Sequence, residues 1–83
     1  MIPMIFMSIN SEDDRSKLLQ IWERYYSLMM YEAKKYLDDS IAEDAASESF
    51  IKIIHNLDKF QDITSNRTRA YVVTIVRNTS KIF

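Results

Sequence analysis

The most informative part of the chain is Ala42-Glu43-Asp44-Ala45-Ala46-Ser47-Glu48-Ser49-Phe50-Ile51-Lys52-Ile53-Ile54. Read at the 3.6-residue period of an α-helix, it places acidic side chains on one face and apolar side chains on the other. A second stretch, Arg67-Thr68-Arg69-Ala70-Tyr71-Val72-Val73-Thr74-Ile75-Val76-Arg77-Asn78, follows after a polar loop. Together with Lys81, this second stretch carries four basic groups and no acidic one.

The two halves of the chain differ in charge. Residues 1–50 contain five basic and ten acidic residues, a net charge of −5, and residues 51–83 contain six basic and two acidic residues, a net charge of +4. Halves of opposite charge indicate two different partners, one of them a polyanion such as a nucleic acid. The alternative at this point is that a small domain segregates its charges without a functional reason.

Size and composition exclude several classes of protein. A chain of 83 residues forms one small domain that buries about 60–65% of its unfolded surface, so it has little room for an enclosed active site. It has no cysteine, and therefore neither a disulfide nor a thiolate for zinc. His55 is the single histidine, and no Ser or Cys nucleophile pattern accompanies it. The acidic clusters lack the spacing of a calcium loop, and no glycine is present to build a phosphate-binding loop. The sequence predicts neither an enzyme nor a cofactor.

Residues 1–10 form an apolar leader. The segment Met1–Met7 is too short for the apolar region of a signal peptide, and no stretch approaches the roughly 20 apolar residues of a membrane span. The leader is either a disordered start or a strip that packs on the first helix. We expect a cytoplasmic protein without membrane insertion, with one helical domain over residues 11–83.

Helices joined by short polar turns are expected, because glycine is absent and Pro3 is the only proline. The first helix is predicted to begin near Ser11, in a capping box with Asp14, and to bury residues spaced three and four apart: Leu18, Trp22, Tyr25, Met29, Ala33 and Tyr36. The second is predicted to begin at Ser40, in a capping box with Glu43, and to bury Ala42, Ala45, Ala46, Phe50, Ile53, Ile54 and Leu57.

Residue propensities in the third predicted helix favour a strand instead. After a loop over residues 58–66, with Ser65 or Asn66 as its cap, it is predicted to run to about Ser80. Its segment Tyr71–Val76 is rich in β-branched residues and suits a strand, but a single strand would have no partner in a helical chain. The prediction is therefore an all-α fold, a small bundle of three helices, with a fourth helix left open.

Four blocks of residues occur in a distinctive order. They are Tyr25-Tyr26 in the first helix, Ala42-Glu43-Asp44-Ala45-Ala46-Ser47-Glu48-Ser49-Phe50, Asn56-Leu57-Asp58-Lys59-Phe60, and residues 71–78. In this order they resemble region 2 of the bacterial sigma-70-type factors of RNA polymerase, in particular the extracytoplasmic-function (group 4) branch. The resemblance covers about residues 12–83. In that family Gln is usual at Ser47, Trp at Tyr71 and Ala at Val76. The chain ends where the linker to region 4 would begin, so we expect region 4 to be absent from it, either because the chain is a domain cut from a longer protein or because it is a reduced, divergent relative.

The resemblance implies docking on RNA polymerase core, at the arginine-bearing coiled coil of the largest subunit. The matching positions all lie on the second helix: Asp44, Ser47, Glu48 and Ile51. Asp44 and Glu48 are four residues apart on one face, where carboxylates can accept hydrogen bonds from a guanidinium group. The alternative is that the acidic residues of the first turn only stabilise the helix dipole.

The resemblance also implies recognition and melting of the promoter −10 element, with a flipped base of the single-stranded non-template strand held between the second helix, the loop and the third helix. The matching positions are Lys52, Asn56, Leu57, Phe60, Arg67, Arg69, Thr74, Arg77, Asn78 and Lys81, with loop residues 61–65 as a lid. Phe60 offers a ring for stacking, the two asparagines offer contacts to a base edge, and the Arg residues and Lys81 would meet phosphates. The alternative for Phe60 is a core residue that closes the end of the second helix.

A second interpretation stays open: a helical module that binds only proteins, as a sigma-like piece held by an anti-sigma factor or as a self-associating domain. One observation separates the two interpretations, namely whether the four basic side chains of the third helix form one continuous surface beside Phe60. Scattered basic side chains that are paired with acids favour the protein-binding module.

Overall fold

The computed structural model describes residues 12–83, and this part of the chain is all-α. It contains three α-helices, α1 (Glu12–Ala33), α2 (Asp39–His55) and α3 (Asn66–Ser80), with one turn of 3-10 helix at Leu57–Lys59 before the loop that leads to α3. Each helix packs against both of the others. The predicted three-helix bundle is confirmed, while the leader and the predicted cap at Ser11 lie outside the described residues.

The core lies where the three helices meet. Small side chains at the start of α2, those of Ala42, Ala45 and Ala46, are fully buried and allow α1 and α3 to approach closely. Further along α2, the buried ring of Phe50 packs edge-on against Trp22 of α1, with the ring centroids 4.7 Å apart. The predicted stripes of α1 and α2, meaning the apolar residues spaced three and four apart along each helix, are buried at most positions. In α1, Ile21 is buried as well, although it was not predicted to be.

The stripe of α1 is shorter than predicted. The helix ends at Ala33, whose carbonyl oxygen accepts hydrogen bonds from the backbone N–H groups of Tyr36 and Leu37, at 3.1 and 3.0 Å. These bonds close the last turn and direct the chain towards α2. The prediction that Tyr36 is buried is therefore wrong, since 46% of its surface is exposed.

One of the two predicted helix caps that can be tested is correct. Ser65 caps α3, because its Oγ accepts a hydrogen bond from the backbone N–H of Thr68 at 3.1 Å. The capping box at Ser40 is wrong, because the capping position is two residues earlier, at Asp38, and α2 begins at Asp39. The carbonyl oxygen of Asp38 accepts the first helical hydrogen bond, from the N–H of Ala42 at 2.7 Å, so Ser40 already lies inside the helix.

Burial overrides the strand propensity of α3. Val72 and Val76 are fully buried in the core, and Thr79 continues the same face. A helical period brings these three residues to one side, whereas a strand would turn alternate residues to solvent. Contact with α1 and α2 therefore decides the structure of this segment.

Candidate functional site

The loop between α2 and α3 is stabilised by hydrogen bonds within itself. The Oδ1 atom of Asp62 accepts two of them from Thr64, one from the hydroxyl at 2.8 Å and one from the backbone N–H at 3.0 Å. The hydroxyl bond, followed by the backbone bond, lowers the pKa of Asp62, because both favour the ionised carboxylate. The loop is thus a defined structural element.

A cavity of about 510 Å³ opens beside this loop. The 3-10 turn, the loop and the first turns of α3 form its walls, and its lining residues are Asp58, Lys59, Gln61, Asp62, Ser65, Arg67, Thr68 and Tyr71. This volume lies within the range of about 300–1,000 Å³ that is typical of pockets for small ligands. Three of the predicted lid residues, Gln61, Asp62 and Ser65, are part of the cavity wall.

An exposed strip of α3 begins at the rim of this cavity. It consists of Arg67, Thr74, Asn78 and Lys81, which are all exposed and recur at steps of seven, four and three residues on one side of the helix. Arg67 belongs to both the strip and the cavity. Arg69 is also exposed, but it lines a groove on the α1 side of α3, so the predicted basic residues form a strip with one outlying member.

Arg77 is the basic residue of α3 that is paired with an acid. Its Nη2 atom lies 3.8 Å from Oε2 of Glu32 on α1, and the other carboxylate oxygen of Glu32 accepts a hydrogen bond from Lys35 Nζ at 3.0 Å. The hydrogen bond to Glu32 raises the pKa of Lys35. The Glu32 side chain is only 7% exposed. Among the ion pairs within residues 12–83, none involves Arg67, Arg69 or Lys81.

The predicted base-binding residues of α2 do not line the cavity. Lys52 Nζ donates a hydrogen bond to the hydroxyl of Thr79 at 2.9 Å, and the Asn56 side-chain amide donates to the carbonyl oxygen of Lys52 at 2.8 Å. Asn78 lies seven residues beyond Tyr71, which is about 10 Å further along the axis of α3. The predicted single pocket therefore separates into two places, the loop cavity and the contact between α2 and α3 around Lys52.

Phe60 has the position of a core residue. It is fully buried, and its ring stacks on Tyr71 with the centroids 5.0 Å apart. In this arrangement Phe60 has no exposed face for a base, contrary to the stacking role expected of it. Tyr71 is half-buried and lines the cavity, so Tyr71 is the aromatic residue that a ligand there would meet. Leu57, in the 3-10 turn, is half-buried against the core.

The four candidate docking residues share one side of α2. Asp44 and Glu48 are exposed, and Ser47 and Ile51 are half-buried. Their steps of three, one and three residues bring them together on the helix surface. They form a small acidic face with an apolar edge, as the pattern predicts.

Three residues near the candidate site were not singled out by the sequence analysis for their polar contacts. Glu32 and Thr68 are buried, and Tyr25, predicted only as a core residue, donates a hydrogen bond from its hydroxyl to the carbonyl oxygen of Ile63 in the loop. A signal was present for Glu32, which stands three residues after Met29, on the buried stripe of α1. No such signal marks the hydrogen bonds of Tyr25 and Thr68, because they depend on how the loop folds.

Two further properties of residues 12–83 bear on function. No helix in this part of the chain is long and apolar enough to cross a membrane. Its His, Asp and Glu residues also do not form a group of three or more that could hold a metal ion.

The fold and the site together define a small helical domain with an acidic face on one helix and a basic strip beside a cavity on another. A comparison with protein families matches residues 21–81 to sigma-70 region 2. The chain therefore belongs to the sigma-70 region 2 family. This is a domain of transcription factors rather than a catalytic domain, and the family implies RNA polymerase binding and promoter recognition in general. Searches of curated proteins and of solved structures gave no significant match.

Proposed function

We propose that the domain recognises and melts the promoter −10 element, as part of an initiation factor of the extracytoplasmic-function branch. The observation that carries this proposal is the position of Arg67, which joins the loop cavity to the exposed strip of α3. A cavity that opens onto a row of two cations, a hydroxyl and an amide fits a flipped base whose backbone continues along the helix. This arrangement supports binding of the single-stranded non-template strand.

The chemistry of the cavity suits a base, and the chemistry of the strip suits phosphates. The ring of Tyr71 is supported from behind by Phe60, and stacking of a base on such a ring contributes about 1–3 kcal/mol. The side-chain amide of Gln61 offers hydrogen bonds to a base edge. Arg67 and Lys81 would hold phosphates without reading the sequence, and Asn78, outside the cavity, would contact a neighbouring base.

For the polymerase side, we propose that the acidic face of α2 docks on the coiled coil of the largest subunit. Asp44 and Glu48 are exposed and one helical turn apart, which fits arginine partners. Each exposed ion pair contributes about 1 kcal/mol or less, so apolar contacts around Ile51 must supply a large part of the affinity.

DNA recognition is tested by fluorescence anisotropy on four single-stranded 12-mers, dT12 and three derivatives with a central dA, dC or dG. The wild type is expected to prefer one base several-fold, Gln61→Ala to reduce this preference, and Arg67→Gln to weaken binding to all four alike. Lys34→Gln removes one positive charge from the turn after α1, where Lys34 lines a groove with residues of α1 and α2, and serves as the control. Equal binding to all four oligonucleotides, with equal losses in Arg67→Gln and Lys34→Gln, would contradict the proposal.

Docking is tested by capture of the domain on the isolated coiled coil of the largest subunit. The double variant Asp44→Asn/Glu48→Gln is expected to lose capture, whereas Asp13→Asn/Glu23→Gln, which removes two exposed acids of α1, is expected to retain it. Equal retention in both double variants would show that the acidic face of α2 does not dock there.

A protein-binding module without DNA binding is the second candidate function. It is favoured by exposed apolar side chains around the junction of α1 and α2, at Tyr31, Tyr36 and Ile41, and by the pairing of Arg77 with Glu32. An anti-sigma factor or a second copy of the chain would then cover this surface. Absence of DNA binding at about 50 mM salt, where phosphate contacts are strong, combined with absence of capture by the coiled coil, would support this function instead.

A further inference from the structure

The loop that walls the cavity is attached to α1 by one buried hydroxyl. Tyr25 is 4% exposed, and its hydroxyl donates a hydrogen bond to the carbonyl oxygen of Ile63, 38 residues away in the sequence. A buried hydroxyl or carbonyl group that loses its partner is costly. The loop therefore has a strong preference for the position in which Ile63 meets Tyr25.

A second buried hydroxyl attaches the same loop to α3. Thr68 is 4% exposed, and its Oγ1 donates a hydrogen bond to the carbonyl oxygen of Asp62 at 2.5 Å. Ser65, the cap of α3, also donates to this carbonyl oxygen, at 3.0 Å. The carbonyl groups of two consecutive loop residues are thus held from two different helices.

These attachments fix the part of the loop that faces the cavity. Asp62, Ser65 and Thr68 line the cavity, whereas Tyr25 lies behind the loop and is not among the lining residues. A ligand in the cavity would meet the loop in a shape that is already set. Preorganisation of this kind reduces the ordering cost of binding the ligand that fits.

We propose that Tyr25 and Thr68 are positioning residues that set the base selectivity of the cavity without setting the overall affinity for single-stranded DNA. The proposal rests on the proposed function of the cavity. A loosened loop still offers polar groups to any base, but it no longer favours the base that fits the fixed shape. The exposed strip of α3 is unchanged by the loosening, so the contacts to phosphates remain.

The test uses Tyr25→Phe and Thr68→Val, with Tyr31→Phe as the matched control. Tyr25→Phe keeps the buried ring and removes only the hydroxyl. Tyr31 is on the same helix but is 64% exposed. Each variant is measured for its binding to the four 12-mers, for the hydrogen exchange of the amides of residues 61–65, and for its thermal unfolding as a check of folding.

Loss of one buried hydrogen bond, about 1 kcal/mol, predicts a roughly fivefold lower ratio between the best and the worst bound oligonucleotide in Tyr25→Phe. Affinity for the worst bound oligonucleotide is expected to change less than twofold. Exchange of the loop amides is expected to rise about fivefold. Thr68→Val is expected to act in the same direction, and Tyr31→Phe to leave both readouts unchanged.

The outcomes distinguish this inference from the proposed function. Unchanged loop exchange in both Tyr25→Phe and Thr68→Val overturns the inference, as does faster exchange with unchanged selectivity. A wild type that binds the four oligonucleotides alike overturns the proposed function itself, and with it any role of the loop in base selection.

Discussion

Replacing Glu32 by glutamine tests whether the ion pair between Glu32 and Arg77 keeps Arg77 from binding a phosphate. The carboxylate of Glu32 lies on α1, with a side chain only 7% exposed, 3.8 Å from the Arg77 guanidinium of α3. Glutamine has nearly the same shape and can still accept a hydrogen bond from Lys35, so the substitution mainly removes the negative charge. We expect Arg77 to be released from α1 and to become available to a phosphate.

The size of the effect follows from the distance and the exposure of the pair. Two unit charges 3.8 Å apart interact by about 1 kcal/mol in water and by about 4 kcal/mol at an effective dielectric constant of 20. The Arg77 side chain is 45% exposed, so solvent screens the pair, and we take the value of about 1 kcal/mol. Glu32→Gln should therefore bind single-stranded DNA up to about fivefold more tightly at low salt. Its plot of log affinity against log salt concentration should be steeper by up to about 0.7.

The assay is fluorescence anisotropy with dT12 from about 50 to 200 mM salt, a range over which phosphate contacts weaken strongly. Glu23→Gln, which neutralises an exposed acid on the same helix, controls for the change in net charge. Adding Arg77→Gln to Glu32→Gln should abolish the gain, because the two residues act as a pair. Equal binding by Glu32→Gln and Glu23→Gln, or a gain that survives in the double variant, would show that Glu32 does not restrain Arg77.

Two further predictions concern the loop and the start of α3. Ser65→Ala should lower the free energy of unfolding by about 1 kcal/mol, because it removes the cap of α3. The control Ser40→Ala, inside α2, should change this free energy by less than about 0.5 kcal/mol. Equal losses for the two variants in denaturant unfolding would contradict the prediction. The hydrogen bonds from Thr64 favour the ionised carboxylate of Asp62. They therefore stabilise the turn at pH values above 3.8, the ordinary pKa of this group, and this stabilisation is lost as the pH falls through the lowered pKa. The NMR shift of the Thr64 amide should therefore titrate with a midpoint below 3.8, and a midpoint at or above that value would contradict the assignment.

The three helices could be predicted from the sequence, because the apolar residues that recur every three or four positions are the residues that pack in the core. The segment Tyr71–Val76 shows the limit of propensity, since its β-branched residues favour a strand and only the positions of Val72, Val76 and Thr79 reveal a buried helical face. The cap of α2 was misplaced by two residues, because Asp38, Asp39 and Ser40 are all suitable caps.

The candidate site was less predictable, because it depends on contacts between distant residues. The position of Glu32 on the buried stripe of α1 can be read from the sequence, but its pairing with Arg77 depends on how α1 and α3 align. The attachment of Ile63 to Tyr25 joins residues 38 positions apart through a backbone carbonyl group, which no side-chain pattern reveals. Phe60 suited both the core and a stacking role by sequence, and only its complete burial separates the two.

The claim that the exposed strip of α3 binds the phosphates of single-stranded DNA is tested by the salt dependence of dT12 binding. The wild type should give a log–log slope of roughly −1.4, because each of the two cations of the strip contributes about −0.7, and Arg67→Gln/Lys81→Gln should bring the slope close to zero. The control Arg15→Gln/Lys34→Gln removes one charge from α1 and one from the turn that follows it, and should leave the slope unchanged. A wild-type slope near zero, or equal slopes in the two double variants, would contradict the claim.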